Sequence, residues 1–344
     1  MTCWRSSAQA FWLSLALPVG ACVSLFDGHP WAFVVIVLCA IPVFDAMIGR
    51  GAPVSGQAIE KTAEQGVPCW FALIWACAVA IGVYRSVHAP APELIGLIVG
   101  CGVLSATAMA HLHELTHRPG KIWRLVSDLA FIVAGYPHYR VAHQLHHEHV
   151  GNPAFGSTAS VGTSVWRHVG RSYTWALKSS FARSSFQHGG VPRSLFQNVF
   201  VGVLLLCIAL TLHQWRVALF YVGYAAVSVF IVEAVGYMQH YGFDRDPRST
   251  AATSWDVDFW LSNCLLVNNG FHGSHHQDGY LPYQRLAAQR ATLPGGYFQM
   301  LWLTLVPPLW FSVMDRRVRI LLRRQRRQDA AFRDQTARDG CEIV

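Results

Sequence analysis

The chain has 344 residues, 53% apolar and only 13% charged. With a mean hydropathy of +0.29, this composition excludes an ordinary soluble domain and fits a membrane protein. The formal charge is +8, and its placement along the chain says more than its size.

Six segments come near the roughly 20 apolar residues that span a bilayer. They are 9–26, 31–48, 68–86, 93–112, 197–214 and 216–238. The first follows Arg5 and has no convincing cleavage site, so a transmembrane helix is expected there rather than a signal peptide. Turn-forming DGHP (27–30), HAPAPE (88–93) and HQWR (213–216) join the segments in pairs. The fold expected is an all-α integral membrane protein, with six transmembrane helices in three hairpins.

The three connections hold only Arg85 and Arg216, and the other 25 of the 27 Lys and Arg fall on the opposite side. That asymmetry predicts a multi-pass membrane protein with both termini cytosolic. Residues 125–138 and 297–314 are apolar but poor spans, one short and one interrupted by Pro307-Pro308. Both are expected as buried or interfacial helices over the site. Residues 1–314 are therefore expected to form the transmembrane domain, and 315–344 a basic cytosolic tail. The tail carries RR-x-R (316–319) and RRQRR (323–327), suited to anionic lipid headgroups. No nucleic-acid partner is needed to explain it. Nine cysteines without a C-x-x-C pair exclude a zinc ribbon, a fused rubredoxin and a disulfide framework.

Nine of the 17 histidines stand in four clusters at the cytosolic ends of apolar segments. HELTH contains His113 and His117 at i,i+4, on one helix face. The same pattern resembles the H-E-x-x-H of zinc proteases, a rival that explains none of the other clusters. HQLHH contains His143, His146 and His147, and HGSHH repeats the spacing with His272, His275 and His276. His240 follows the last span alone. Glu233 lies seven residues earlier on the same face, placed to orient a ligand imidazole or to pair with an interfacial cation. His138, beside the second cluster, is a further candidate for that supporting role, and His111 is a second choice in the first cluster. His29, His88, His149, His168, His188 and His213 fit loop or interface positions without a metal. Imidazole suits iron, zinc and copper alike.

The residues resemble the integral-membrane, histidine-rich di-iron monooxygenases, in the branch of the alkane and xylene enzymes, with fatty acid desaturases as more distant kin. HELTHR, HQLHHEHVGNP, EAVGYMQHYG and HGSHH followed by PYQRL are similar to the family's histidine boxes. FDAMIGRG (44–51) and LVPPLW (305–310) also look like family segments. The resemblance implies two iron ions held by His113, His117, His143, His146, His147, His240, His272, His275 and His276. It implies hydroxylation of an unactivated C–H bond in a hydrophobic substrate, using O2 and two external electrons. A separate rubredoxin or ferredoxin with its reductase would deliver the electrons. Three positions depart from the pattern: Ala142 and Gln239 replace glutamates, and Ser274 replaces an acid. An alkyl-bearing metabolite therefore fits as well as an alkane does. The alternatives are a desaturase of a lipid-like substrate, or a non-catalytic metal-binding protein or transporter. A transporter places its ligands near the bilayer midplane, whereas these clusters lie at helix ends.

Overall fold

The computed structural model describes residues 4–5, 8–52, 66–152, 156–188, 193–212, 214–243, 253–289 and 291–339. Its regular structure is almost wholly helical. Helices α1 (Ala8–Phe26) and α2 (Pro30–Ile48) form one hairpin, and α3 (Val67–Ser86) and α4 (Ala91–Thr116) the next. Then come α5 (Lys121–Val133), α6 (Tyr139–His149), α7 (Val165–His188), α8 (Arg193–Thr211) and α9 (Trp215–His240). The short α10 (Trp260–Leu265), α11 (His272–Gln277) and α12 (Tyr297–Thr304) precede α13 (Pro307–Asp339).

Among the described residues five helices, α1, α2, α3, α4 and α9, are long and apolar enough to cross a membrane, so the protein is multi-pass. The expected span at 197–214 is shifted: helix α8 runs Arg193–Thr211, and it ends there as the Gln214 N–H turns back to the Ala209 carbonyl. Among the described residues a sixth crossing results if α12 and the first part of α13, bent by 118°, count as one broken span. Pro307 opens α13, where its missing N–H costs no hydrogen bond.

Helix α4 is the hub. Its apolar window is 78% buried, against 33–39% in the other spans. Glycines allow this. A Cβ on Gly102 would meet Val227 of α9 at 2.5 Å, and one on Gly96 would meet Pro30 and Trp31 at 2.8 Å. Close backbone approach through small residues is how membrane helices gain packing energy in lipid.

The two ends of the bundle differ in chemistry. At one end Arg85 pairs with Glu93 at 2.5 Å, and Arg216 donates to the Ala89 carbonyl at 3.0 Å. These contacts gather the short connections. Helices α4 and α9 each have 26 residues, about 39 Å at 1.5 Å per residue. That exceeds the roughly 30 Å hydrocarbon layer, so each, bearing histidine at its other end, is long enough to cross it with a turn or more to spare.

Helix α5 covers that end. It buries Ser127, Asp128, Phe131 and Ile132 while exposing Ile122, Leu125 and Leu129, the outward apolar stripe of an interfacial helix. Asp128 holds Arg140 of α6 at 2.7 Å. On the far side, buried Asp45 of α2 accepts hydrogen bonds from the Ser262 N–H (3.0 Å) and Oγ (2.6 Å). Gly296 leaves room for that carboxylate.

Candidate metal centre

All nine histidines of the four boxes converge, and they sort into two groups. His113, His117, His143, His147 and His275 form the first, and His146, His240, His272 and His276 the second. Within each group the ligand nitrogens lie within 4.8 Å of one another. The groups abut, with the His147 and His276 rings 4.6 Å apart. Helical geometry explains the sorting. Each residue turns the helix by about 100°, so i and i+4 point about 40° apart while i+3 and i+4 point about 100° apart. On α6, His143 and His147 therefore face one group and His146 the other. On α11, His272 and His276 face the second group and His275 the first. Each H-x-x-H-H box serves both groups, in opposite senses.

Hydrogen bonding between the rings cannot account for the approach of these nitrogens. His143 Nε2 lies 2.8 Å from His113 Nε2, 3.2 Å from His117 Nε2 and 2.9 Å from His147 Nε2. A ring nitrogen has one proton or one lone pair, so it cannot satisfy three partners. In the second group His276 Nε2 lies 3.0 Å from both His146 Nε2 and His272 Nε2, and His240 Nε2 is 3.1 Å from His272 Nε2. Adjacent nitrogens bound to one cation at roughly 2.1 Å, at right angles, stand roughly 3.0 Å apart. The donor set fits two transition-metal ions held by imidazole.

The electrostatics agree. Burial, with the neighbouring imidazoles, pushes His143, His146, His272 and His276 well below the ordinary histidine range. Burial takes His117 and His147 down to about 4 and His275 to about 2. These rings are neutral near pH 7, with a lone pair free for a metal.

Surrounding groups fix their orientation. The His240 Nδ1–H donates to the Thr253 carbonyl at 3.0 Å, which leaves Nε2 as the acceptor facing the group. Asp256 accepts the Gly273 N–H at 2.8 Å and the Gln289 N–H, anchoring the start of α11. Burial raises its carboxyl to about 6 against the pull of those two N–H groups. Before α11 the chain makes a tight turn in which Val267 and Asn268 have φ of 44° and 54°. That is costly for a β-branched residue, and Asn268 Nδ2 holds the turn by donating to the Tyr283 carbonyl at 2.8 Å.

The other candidates take different positions. Glu233 accepts hydrogen bonds from Tyr136 and Ser172, so the carboxylate expected to orient an imidazole or to pair with an interfacial cation faces a tyrosine and a serine. His138 is packed against Tyr136 and Tyr173, outside both groups. His111 stacks on Phe71, with centroids 3.7 Å apart. The side chain of His188 lies outside the described residues. Glu114, the general base of the protease reading, accepts instead from the Tyr283 backbone. His168, read from the sequence as an interface residue, is buried at 1% exposure beside a cavity.

That cavity, of about 150 Å³, lies over both groups. His113 and His143 of the first group and His146, His240 and His272 of the second line it. Its walls include Met109, Val232, Val235 and Leu266, with Ala142 and Gln239 also facing in. A Cβ on Gly156 would meet Trp175 at 2.8 Å, so that glycine lets the indole close one side. Largely apolar walls above two groups of nitrogens able to hold metal ions fit a site for oxidising a hydrophobic molecule.

Comparison with known proteins agrees with this class. The profile of the fatty acid desaturase family matches residues 89–300, and the chain belongs to that family. The chain is 27% identical to alkane 1-monooxygenase 1 of Pseudomonas aeruginosa over 90% of each protein. It is 24% identical to the alkane 1-monooxygenase of Acinetobacter baylyi, over 83% of this chain and 76% of that one. It is 27% identical to the xylene/toluene monooxygenase hydroxylase component of Pseudomonas putida, over 64% of this chain and 63% of that one. These relatives favour the monooxygenase branch of the family over the desaturases.

Proposed function

We propose that the protein is a membrane-bound non-haem di-iron monooxygenase. It hydroxylates an unactivated C–H bond of an alkane, an alkyl-aromatic or an alkyl-bearing metabolite. The overall balance is R–H plus O2, two electrons and two protons, giving R–OH and water. One observation carries the reading: two groups of imidazole nitrogens, spaced as ligands around shared cations, form one side of a single apolar cavity. The nine histidines named above would hold two iron ions, and those ions would supply O2 activation and hydrogen abstraction. The chain's own part is to keep nine imidazoles neutral and aimed, to orient them through Thr253 and Asp256, and to shield the reacting carbon from water.

The electrons come from a separate rubredoxin or ferredoxin and its reductase, since the sequence has no C-x-x-C pair to hold a rubredoxin-type centre. The site faces the cytosol across the bacterial inner membrane, as the distribution of Lys and Arg supports. The substrate enters from lipid, and the basic segment from residue 315 onward rests on anionic headgroups.

Metal analysis of purified protein should find about two iron atoms per chain, matching the two nitrogen groups, with O2 uptake in the presence of donor and substrate. His146→Ala and His275→Ala each remove one nitrogen from a different group. Both should lower iron content and abolish turnover while the protein stays in the membrane. Full iron loading and activity in either variant would refute the ligand assignment. An alkene product without added oxygen would instead make the protein a desaturase, as the broader family name allows.

A further inference from the structure

The cavity is not uniformly apolar. Where α7 and α9 wall it, the cavity carries His168, Ser172 and Glu233, with Ser157 and, from the turn between α5 and α6, Tyr136 beside them. Tyr136 and Ser172 both donate to Glu233. His168 lies one helical turn before Ser172, on the same face of α7, and its ring packs against Tyr237 of α9. Both of its ring nitrogens are buried and find no hydrogen-bond partner among the described residues, and neither does Ser157 Oγ. A buried polar group left unpaired is costly. A plain hydrocarbon in this cavity would leave that cost in place. A purely structural network would have closed on His168 as it closed on Glu233.

We infer that the substrate carries a hydroxyl group, received by His168 and the Ser172–Glu233 pair while its apolar part lies against the two histidine groups. This deepens the proposed hydroxylation and rests on it for the part that concerns turnover. A neutral imidazole offers one donor and one acceptor, and a hydroxyl offers the same pair in return. An alkylammonium would match Glu233 but enters from lipid at far greater cost. Glu233 lies seven residues before His240, about 10 Å along α9. A hydroxyl held on that wall keeps its own carbon away from the histidines and presents C–H bonds further down the chain.

The test compares a linear alkane, the 1-alkanol and the 1-alkylamine of equal carbon number, on the full chain in detergent. Binding is read first on metal-free protein, from the shift in melting temperature. The alkanol should bind about tenfold or more tightly than the alkane, as expected where a site hydrogen-bonds a substrate hydroxyl. His168→Leu should erase that preference, and His168→Gln, which keeps a donor and an acceptor, should retain part of it. With iron and electron donor present, the alkanol should yield a diol oxidised away from the existing oxygen. Equal binding of alkane and alkanol, preference for the amine, or a preference that survives His168→Leu would overturn the inference. Oxidation mainly at the carbinol carbon would overturn it as well. Tight, His168-dependent alkanol binding without oxygen insertion would uphold the binding site and defeat the monooxygenase reading, so the two fail separately.

Discussion

Asp256 belongs to neither imidazole group and does not line the cavity, yet it fixes where three of the nine rings stand. Its two oxygens accept the Gly273 and Gln289 N–H groups, so α11 begins at a set point and His272, His275 and His276 follow from it. Asp256→Ala should weaken metal retention about 10- to 100-fold, the usual effect of losing a group that positions ligands. Asp256→Asn, which keeps one acceptor oxygen, should fall between. Competition with a chelator measures this, and wild-type retention in the alanine variant would show that α11 is held by other means. At this scale the nine histidines were legible because residue type and spacing of three or four carry the chemistry. The cavity's polar wall was not legible. Tyr136, His168, Ser172 and Glu233 come from three separate stretches, and nothing in the local pattern of any one of them points to the others. The departures at Ala142 and Gln239 gained a meaning from their position. Both face the cavity, and Gln239 Nε2 donates to Tyr297 Oη at 2.7 Å, so at these two positions the wall presents a methyl group and a neutral amide and no carboxylate.

Individual helices show which patterns are sufficient. The runs that became α1–α4 and α9 were readable because a bilayer imposes a minimum apolar length. The run at 197–214 was placed three residues too far along because hydropathy does not register where the backbone turns, and the helix, Arg193–Thr211, ends at Thr211. The split of each H-x-x-H-H box between two groups follows from helical rotation, but only once each box is known to be helical and placed between the groups. Junctions between helices depend on single small residues. A Cβ on Gly296 would run into the Asp45 carboxylate, which ties α2 to α10 through Ser262. Gly296→Ala should destabilise the protein by about 1–3 kcal/mol, the range for forced overpacking. Thermal unfolding in detergent would register it as a lower melting temperature, and an unchanged melting temperature would mean that the junction yields without cost.

Across the whole molecule, the burial of so many neutral imidazoles couples stability to pH. His117 and His147 have values of about 4 in the folded protein, below the roughly 6.5 of an unfolded chain. Above pH 6.5 both states are neutral and the folded state keeps its full stability. As pH falls from about 6.5 to about 4, the unfolded chain takes up protons that the folded one refuses, so stability declines. Below about 4 these two groups add no further slope. Metal-free protein should therefore lose melting temperature steadily across that window. A bound metal should resist the loss at first and then be released as protons compete for the ring nitrogens. A flat profile for metal-free protein would mean that these rings are not held neutral by burial.

The sequence by itself determined the membrane class, the helical architecture and the nine histidines, because hydropathy, apolar length and helical spacing are local properties of a chain. Only the tertiary structure decided how those histidines divide into groups of five and four, and that Glu233 meets Tyr136 and Ser172 rather than an imidazole. The structure alone also gave the cavity above them a polar wall. Each of these depends on contacts between segments far apart in the chain, up to 130 residues between His146 and His276, where packing rather than local pattern sets which side chains meet.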